Sequence, residues 1–316
     1  AGRGRSEGMM RYGGRDGDLT YRMTAGMRND QGEAADIRYP TSQTDIWTKN
    51  KFDDKQIRLL TLRADYQLNP ADTLEFQFGY NGGSRQAGEF KDVFAPDKQA
   101  DNHFEQLHWR RALDNGGEFS VQFYHMLESS SAALLQRDGI TPEGNGDVMA
   151  RRYDLEVQHT FSPVANTRLV WGGSVRYDKT FAPYDLGIYD PDLYEDRSYR
   201  LSRLFGNLEW RARPDLLFNV GAMAENNSFT GTDITPRIAA NWHFLPGHTL
   251  RISQSEATRT PSVYEKRSEE YWRTSGGFPN LPTLRPERVK TSDIGYLANL
   301  GGLDVDFRLF REAYSD

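Results

Sequence analysis

The stretch Arg152–Tyr177 reads RYDLEVQHTFSPVANTRLVWGGSVRY. Tyr153, Leu155, Val157 and Phe161 alternate with Arg152, Asp154, Glu156, Gln158 and Thr160. A period of two puts the two sets on opposite faces of a strand. Ser162-Pro163-Val164-Ala165-Asn166 forms a tight turn, and the alternation then resumes. Leu169, Trp171, Val175 and Tyr177 oppose Arg168, Gly172, Ser174 and Arg176. Three more segments read the same way. Leu74, Phe76, Phe78 and Tyr80 oppose Glu75, Gln77 and Gly79; Leu208 and Trp210 oppose Asn207, Glu209 and Arg211; Leu303, Val305, Phe307 and Leu309 oppose Asp304, Asp306 and Arg308. If such strands meet lipid, the charged face must turn away from it, because an Arg or Lys at mid-bilayer costs about 2–4 kcal/mol.

The turns around this stretch have a rhythm. Tight ones fall at Gly13-Gly14-Arg15-Asp16-Gly17, Asn69-Pro70-Ala71-Asp72, Asp114-Asn115-Gly116-Gly117, Arg213-Pro214-Asp215, Leu245-Pro246-Gly247-His248 and Asn299-Leu300-Gly301-Gly302. Most connections between them are long: 29–55, 82–101, 128–150, 179–198 and 258–287, with only 227–233 short. Short turns on one side and long loops on the other are the pattern of an outer-membrane barrel. The expected fold is all-β, a transmembrane antiparallel up-and-down β-barrel. Thirteen strands are predicted, near 18–28, 57–68, 72–81, 102–113, 117–127, 151–161, 167–178, 199–211, 215–226, 234–245, 249–257, 288–299 and 302–312. Bacterial barrels close with even numbers, so residues 3–12 are expected to end one more strand, and the chain reads as a section of a larger barrel. A soluble sandwich or propeller also alternates. It is disfavoured by the length of the strands, the alternating turn classes, and the aromatics Tyr80, Phe161, Tyr177 and Trp242 near strand ends, where interfacial girdles belong.

Composition fits this reading. The 316 residues are 37% hydrophobic, with a mean hydropathy of -0.75. No run approaches the roughly 18 apolar residues of a spanning helix. A barrel escapes that test because only alternate residues face lipid. The absence of cysteine rules out disulfides and thiolate metal sites. A net charge of -6 gives no support for a nucleic-acid partner. No charged-plus-apolar leader opens the chain, so either one was removed or this is an internal piece.

One block carries a family resemblance. Thr235-Pro236-Arg237-Ile238, Leu250-Arg251-Ile252-Ser253-Gln254-Ser255 and Ala257-Thr258-Arg259-Thr260-Pro261-Ser262-Val263-Tyr264-Glu265 resemble the TonB-dependent outer-membrane transporters. Phe278-Pro279-Asn280-Leu281-Pro282-Thr283-Leu284-Arg285-Pro286-Glu287 is similar to that family's Asn-Pro-Asn-Leu-x-Pro-Glu loop end. Asp293-Ile294-Gly295-Tyr296 is similar to its Glu-x-Gly-Tyr pattern. The departures are Phe278 at the first Asn and one extra residue before Arg285. Read physically, Pro261 removes a ladder donor and Pro279, Pro282 and Pro286 stiffen the returning chain. The motif residues Arg259, Pro261, Asn280, Pro286 and Glu287 therefore read as a loop base.

The resemblance implies a 22-stranded barrel around an N-terminal plug. On that count the chain would run from the end of strand two to strand fifteen of one receptor barrel, with the plug and the TonB-contacting box outside it. It implies import, not catalysis: a ferric siderophore as cargo, no cofactor, energy from the TonB–ExbB–ExbD complex acting through the plug, lipopolysaccharide around the wall, and a monomer when complete. The segment Tyr264, Arg267, Tyr271, Trp272 and Arg273 is the ligand-binding candidate, because aromatic rings stack on flat chelate groups and Arg pairs with anionic ferric complexes. The same residues could instead pack the loop or meet lipopolysaccharide. Tyr184, Tyr189 and Tyr194 are weaker candidates of the same kind. The histidines His103, His108, His125, His159, His243 and His248 show no metal-ligand spacing in sequence. His125 and His159, alternating with apolar residues, are expected at an interface. Haem or cobalamin import is the alternative cargo; His103 is the one histidine near a long loop that could ligate haem. Two readings of another class are a passive porin or adhesin and an outer-membrane barrel enzyme. For the enzyme, Ser120 and His125 fall on opposite faces of one strand and make a poor nucleophile–base pair.

Overall fold

The computed structural model describes residues 4–32, 37–40, 46–49, 54–85, 89–90, 93–94, 98–114, 116–136, 142–145, 147–181, 197–274 and 277–315. Among the described residues, fourteen long strands carry the fold. They are β1 (Arg5–Asp16), β2 (Leu19–Asp30), β3 (Lys55–Gln67), β4 (Asp72–Arg85), β5 (Lys98–Ala112), β6 (Glu118–Gln136), β7 (Val148–Phe161), β8 (Thr167–Phe181), β9 (Arg197–Arg213), β10 (Leu216–Asn227), β11 (Gly231–Leu245), β12 (His248–Arg259), β13 (Glu287–Asn299) and β14 (Asp304–Ser315). The extra strand expected from residues 3–12 is β1, and the count is even. Short two-stranded ladders, Ile37–Pro40 with Ile46–Lys49 and Glu89–Phe90 with Val93–Phe94, decorate stretches that the sequence reads as loop.

Contacts gather into two units. One comprises residues 1–108, 123–153 and 178–198. In it β1, β2, β3 and β4 pair antiparallel in sequence order, through Arg5↔Asp30, Leu19↔Tyr66 and Lys55↔Arg85. The other comprises 109–122, 154–177 and 199–316. There β9 to β14 pair in order, through Leu201↔Asn227, Leu216↔Trp242, Arg237↔Ser255, His248↔Ala298 and Arg288↔Ser315. Every one of these neighbours is antiparallel and consecutive, as an up-and-down meander requires.

Two expectations need correction. Gly13 and Gly14 do not turn: β1 continues to Asp16, and only Gly17 and Asp18 connect it to β2. Gly13 serves a close approach instead, since a Cβ there would lie 2.8 Å from the Tyr21 carbonyl oxygen. Gly17 is the residue the turn demands, with φ at 56°. The connection 258–287 is not all loop, because Val263–Thr274 forms a helix, α1. Several strands also outrun their predicted ends; β6 reaches Gln136.

Solvent exposure runs opposite to that of a soluble protein. Among the described residues the buried set is dominated by polar groups: Thr24, Asp72, Glu75, Ser174, Asn227, Ser253, Arg267, Glu269 and Asp293. The predicted apolar faces stand in the open, with Tyr153, Leu155, Trp171, Val175, Tyr177, Leu208, Trp210, Phe307 and Leu309 all exposed. A soluble sandwich would bury these rows between sheets. Near one set of turns the exposed face becomes aromatic. Trp210 stacks on Phe218 at 5.7 Å, and Trp242 lies 5.6 Å from Phe244. The Trp242 ring N–H donates to Asp215 at 3.1 Å, so an apolar ring carries a polar handle toward the turn.

Candidate functional site

The connection between β12 and β13 is built from its base upward. Ser262-Val263-Tyr264-Glu265 is a capping box. The Ser262 hydroxyl accepts from the Glu265 N–H at 3.2 Å, and the Glu265 carboxylate accepts from the Ser262 N–H at 2.7 Å. Pro261, which is buried, stops the β12 ladder just before this cap. Arg259, the last residue of β12, then ties three elements together. Its guanidinium donates through two nitrogens to Glu287, the first residue of β13, and through two to Glu265 at 3.1 Å each. Glu265 is consequently held at a pKa of about 2, the Arg259 hydrogen bond being the largest cause and the Ser262 backbone N–H the next. Arg259 itself is raised by the same two carboxylates.

Below this clasp lies a second charge network. Arg203 pairs with Glu225 at 2.8 Å, and Arg288 reaches both Glu256 at 3.0 Å and Asp233 at 3.3 Å. Thr260 connects the two layers through its hydroxyl, 3.4 Å from Glu225 and from the Asn227 amide. On the face that carries Ser253 and Asp293, Arg237, Arg251, Arg308, Asp293 and Glu312 line a concavity of about 560 Å³.

Helix α1 divides the five sequence candidates. Tyr264 and Trp272 lie at helical spacing and are exposed. Tyr271 and Arg273 are half-buried, and Arg267 is buried. Arg273 is engaged within the helix: it pairs with Glu269, which Lys266 also meets at 2.7 Å. Glu269 is itself buried, so these two cations offset a carboxylate removed from water. The Trp272 ring meets Tyr271 edge-on at 5.4 Å and Phe278 at 5.9 Å. The exposed aromatic surface of this loop is therefore Tyr264, Trp272 and Phe278, with Tyr271 behind. Of the loop-base residues, Arg259 and Glu287 are bonded to each other, Asn280 is exposed in a turn, and Pro286 precedes β13. Tyr184, Tyr189 and Tyr194 lie outside the described residues.

Sequence reading missed two participants here. Glu265 stands in the family motif, and the Ser-x-x-Glu spacing that it completes is a helix-start signal. Phe278 departs from the motif in sequence, and its exposure makes it part of the aromatic surface.

A family model described as "TonB dependent receptor-like, beta-barrel" matches residues 3–316. No curated protein sequence matches the chain. Among solved structures, the siderophore receptor PirA of Pseudomonas aeruginosa is 13% identical, with a TM-score of 0.69 over 98% of this chain and 52% of that one. A variant of the ferric enterobactin receptor PfeA from the same organism, in complex with enterobactin, is 14% identical, with a TM-score of 0.73 over 98% and 51%. The FrpB iron transporter of Neisseria meningitidis is 10% identical, with a TM-score of 0.72 over 98% and 53%. The chain thus spans about half the length of the structures it matches. At these identities the likeness concerns the fold.

Proposed function

The chain belongs to the TonB-dependent receptor-like β-barrel family, and from that premise we propose that it forms wall and outer loops of an outer-membrane receptor that imports a ferric siderophore with energy supplied through TonB. The carrying observation is the pairing of an exposed apolar wall with a loop that is clasped at its base and aromatic at its surface. The wall suits lipid. The loop presents Tyr264 and Trp272 on helix α1 and Phe278 just beyond it, while Lys266 and Arg273 of that helix are engaged with its Glu269. Such a surface favours a flat, aromatic or conjugated chelate over a bare ion. Siderophore and enterobactin receptors among the structural neighbours point to the same cargo class.

In this reading the barrel makes no covalent bond. The aromatic surface captures the chelate, the clasp keeps the loop over the strands, and the polar concavity at Arg237, Arg251 and Arg308 faces the passage. The test is ligand-induced quenching of tryptophan fluorescence in the purified receptor, with ferric catecholate and hydroxamate siderophores, haem and cobalamin compared. Saturable quenching by a ferric siderophore, weakened by Trp272→Ala and accompanied by TonB-dependent iron uptake in cells, supports the proposal. Saturable binding of haem or cobalamin alone, or uptake that persists without TonB, refutes it.

A further inference from the structure

Within the first unit, three side chains with metal-ligand chemistry converge on one face of a strand pair. His103 and Glu105 lie two residues apart on one face of β5, and His125 comes from the adjacent strand β6. The His125 Nδ1 is 2.7 Å from one Glu105 oxygen, and the His103 Nε2 is 3.8 Å from the other. One donor atom from each of the three falls within 4.8 Å of the rest. All three are half-buried, and the His125 ring is braced by Tyr153, centroid to centroid 4.6 Å.

This face is the apolar one. Leu107 and Phe123, two residues farther along each strand, are exposed. Toward the outer loop the face turns polar: Asp101, two residues before His103, accepts a hydrogen bond from Tyr80 at 2.7 Å. The cluster therefore sits where an apolar wall gives way to a polar rim. An isolated carboxylate among lipid tails is costly, but at such a boundary water and ions have access.

We propose that His103, Glu105 and His125 form a three-ligand site for a first-row divalent cation, with Zn2+ the best fit, on the outward face of β5 and β6. Two imidazoles and a carboxylate are a ligand set that Zn2+ accepts, leaving a fourth position open to an outside oxygen donor. Ligand atoms around a tetrahedral ion held at about 2.0–2.1 Å stand roughly 3.3 Å apart. The present spacings of 2.7 and 3.8 Å bracket that value. An ion would replace the His125–Glu105 hydrogen bond and draw His103 inward, movements that side-chain rotation supplies without shifting either strand.

The test uses the protein purified from outer membranes in detergent and stripped with a chelator. It is titrated with Co2+, whose visible absorption reports coordination, and then with Zn2+ as competitor. One equivalent is expected, with Zn2+ displacing Co2+. His103→Ala, Glu105→Gln and His125→Gln should each weaken binding by at least about tenfold, since loss of even a supporting partner costs 10–100-fold. His159→Ala, on β7 and not a member of the cluster, should leave it unchanged. His103→Ala is the decisive variant, because the contacts of His103 are with the other two members of the cluster, a loose 3.8 Å approach to Glu105 and a ring contact with His125 at 5.8 Å, and heat-modifiable mobility checks that the variant is folded. No stoichiometric binding by the wild type, or wild-type affinity in folded His103→Ala, overturns the proposal.

Discussion

Two neighbouring rows cross the same six strands one residue apart, and on β12 and β13 they meet opposite environments, although on β14 both Leu309 and Phe310 are exposed. One row runs Trp210, Phe218, Ala240, Ile252, Ile294, Leu309; the other runs Glu209, Asn219, Ala239, Ser253, Asp293, Phe310. Ile252 and Leu309 in the first are 52% and 65% exposed, whereas Ser253 and Asp293 in the second are 8% and 5%. Backbone hydrogen bonding is shared by both rows, so the sheet alone does not distinguish them. What differs is the medium each face suits: lipid for the greasy row, a polar interior for the other. The largest predicted effect follows from forcing one row to act as the other. Ile252→Arg should lower folding stability in liposomes by about 2–4 kcal/mol, the cost of a cation at the bilayer midplane. Asn219→Arg on the facing row should cost under about 1 kcal/mol, through loss of its hydrogen bond with Asn207. Urea titration followed by heat-modifiable mobility measures both, and equal losses would refute the assignment of faces.

The polar row should be sensitive in its own way. Asp293 accepts from the Ser253 hydroxyl on the next strand, and Arg308 stands 3.6 Å away on the other side. Asp293→Ala removes a charged acceptor and strands the Ser253 donor. The expected loss is about 1.5–3 kcal/mol, the range for hydrogen bonds to charged groups. Asp293→Asn, which keeps an acceptor, should lose less in the same titration.

These rows also explain how far the sequence could be read. Alternation located the membrane strands because lipid on one side and a polar medium on the other enforce period two. Past the bilayer that constraint disappears: β6 continues through Glu128-Ser129-Ser130-Ser131 to Gln136 without it, so alternation predicts an end at 127. Gly13-Gly14 looked like a turn because glycine serves turns and close strand contacts alike. The helix was hidden by composition, since it buries Arg267 and Glu269 rather than an apolar stripe; only its Ser-x-x-Glu start was legible. The His103–Glu105–His125 cluster was invisible as spacing because its third member arrives across a hairpin. A His-x-Glu pair on one strand face was the signal that could have led to it.

The loop offers a milder version of the same contrast, with polar contacts now exposed to water. Ser262→Ala removes the cap of α1 and should destabilise the helix by about 1 kcal/mol. Amide exchange should therefore quicken across residues 263–274 while the unfolding midpoint of the strands stays fixed. A shift of both would mean that the loop and the wall fold as one unit.

The smallest effect is one of pH, and it separates the clasp from the cap. Glu265 has a folded pKa of about 2 against an ordinary 4.5. Its depressed value means that the contribution is complete above pH 4.5 and is lost as pH falls through about 2. Glu287 is lowered too, by the same guanidinium, and so adds in the same sense. Both carboxylates are open to solvent, which screens the pairing and keeps its energy small. Because Trp272 lies on the same helix, a fluorotryptophan resonance at that position should hold constant from neutral pH to 4.5 and then move with a midpoint near 2. In Arg259→Gln the largest cause of the depression is gone, so the midpoint should climb toward 4.5, held partly down by the Ser262 N–H. An unchanged midpoint in that variant would assign the depression to the helix cap and leave Arg259 a tie to Glu287 alone.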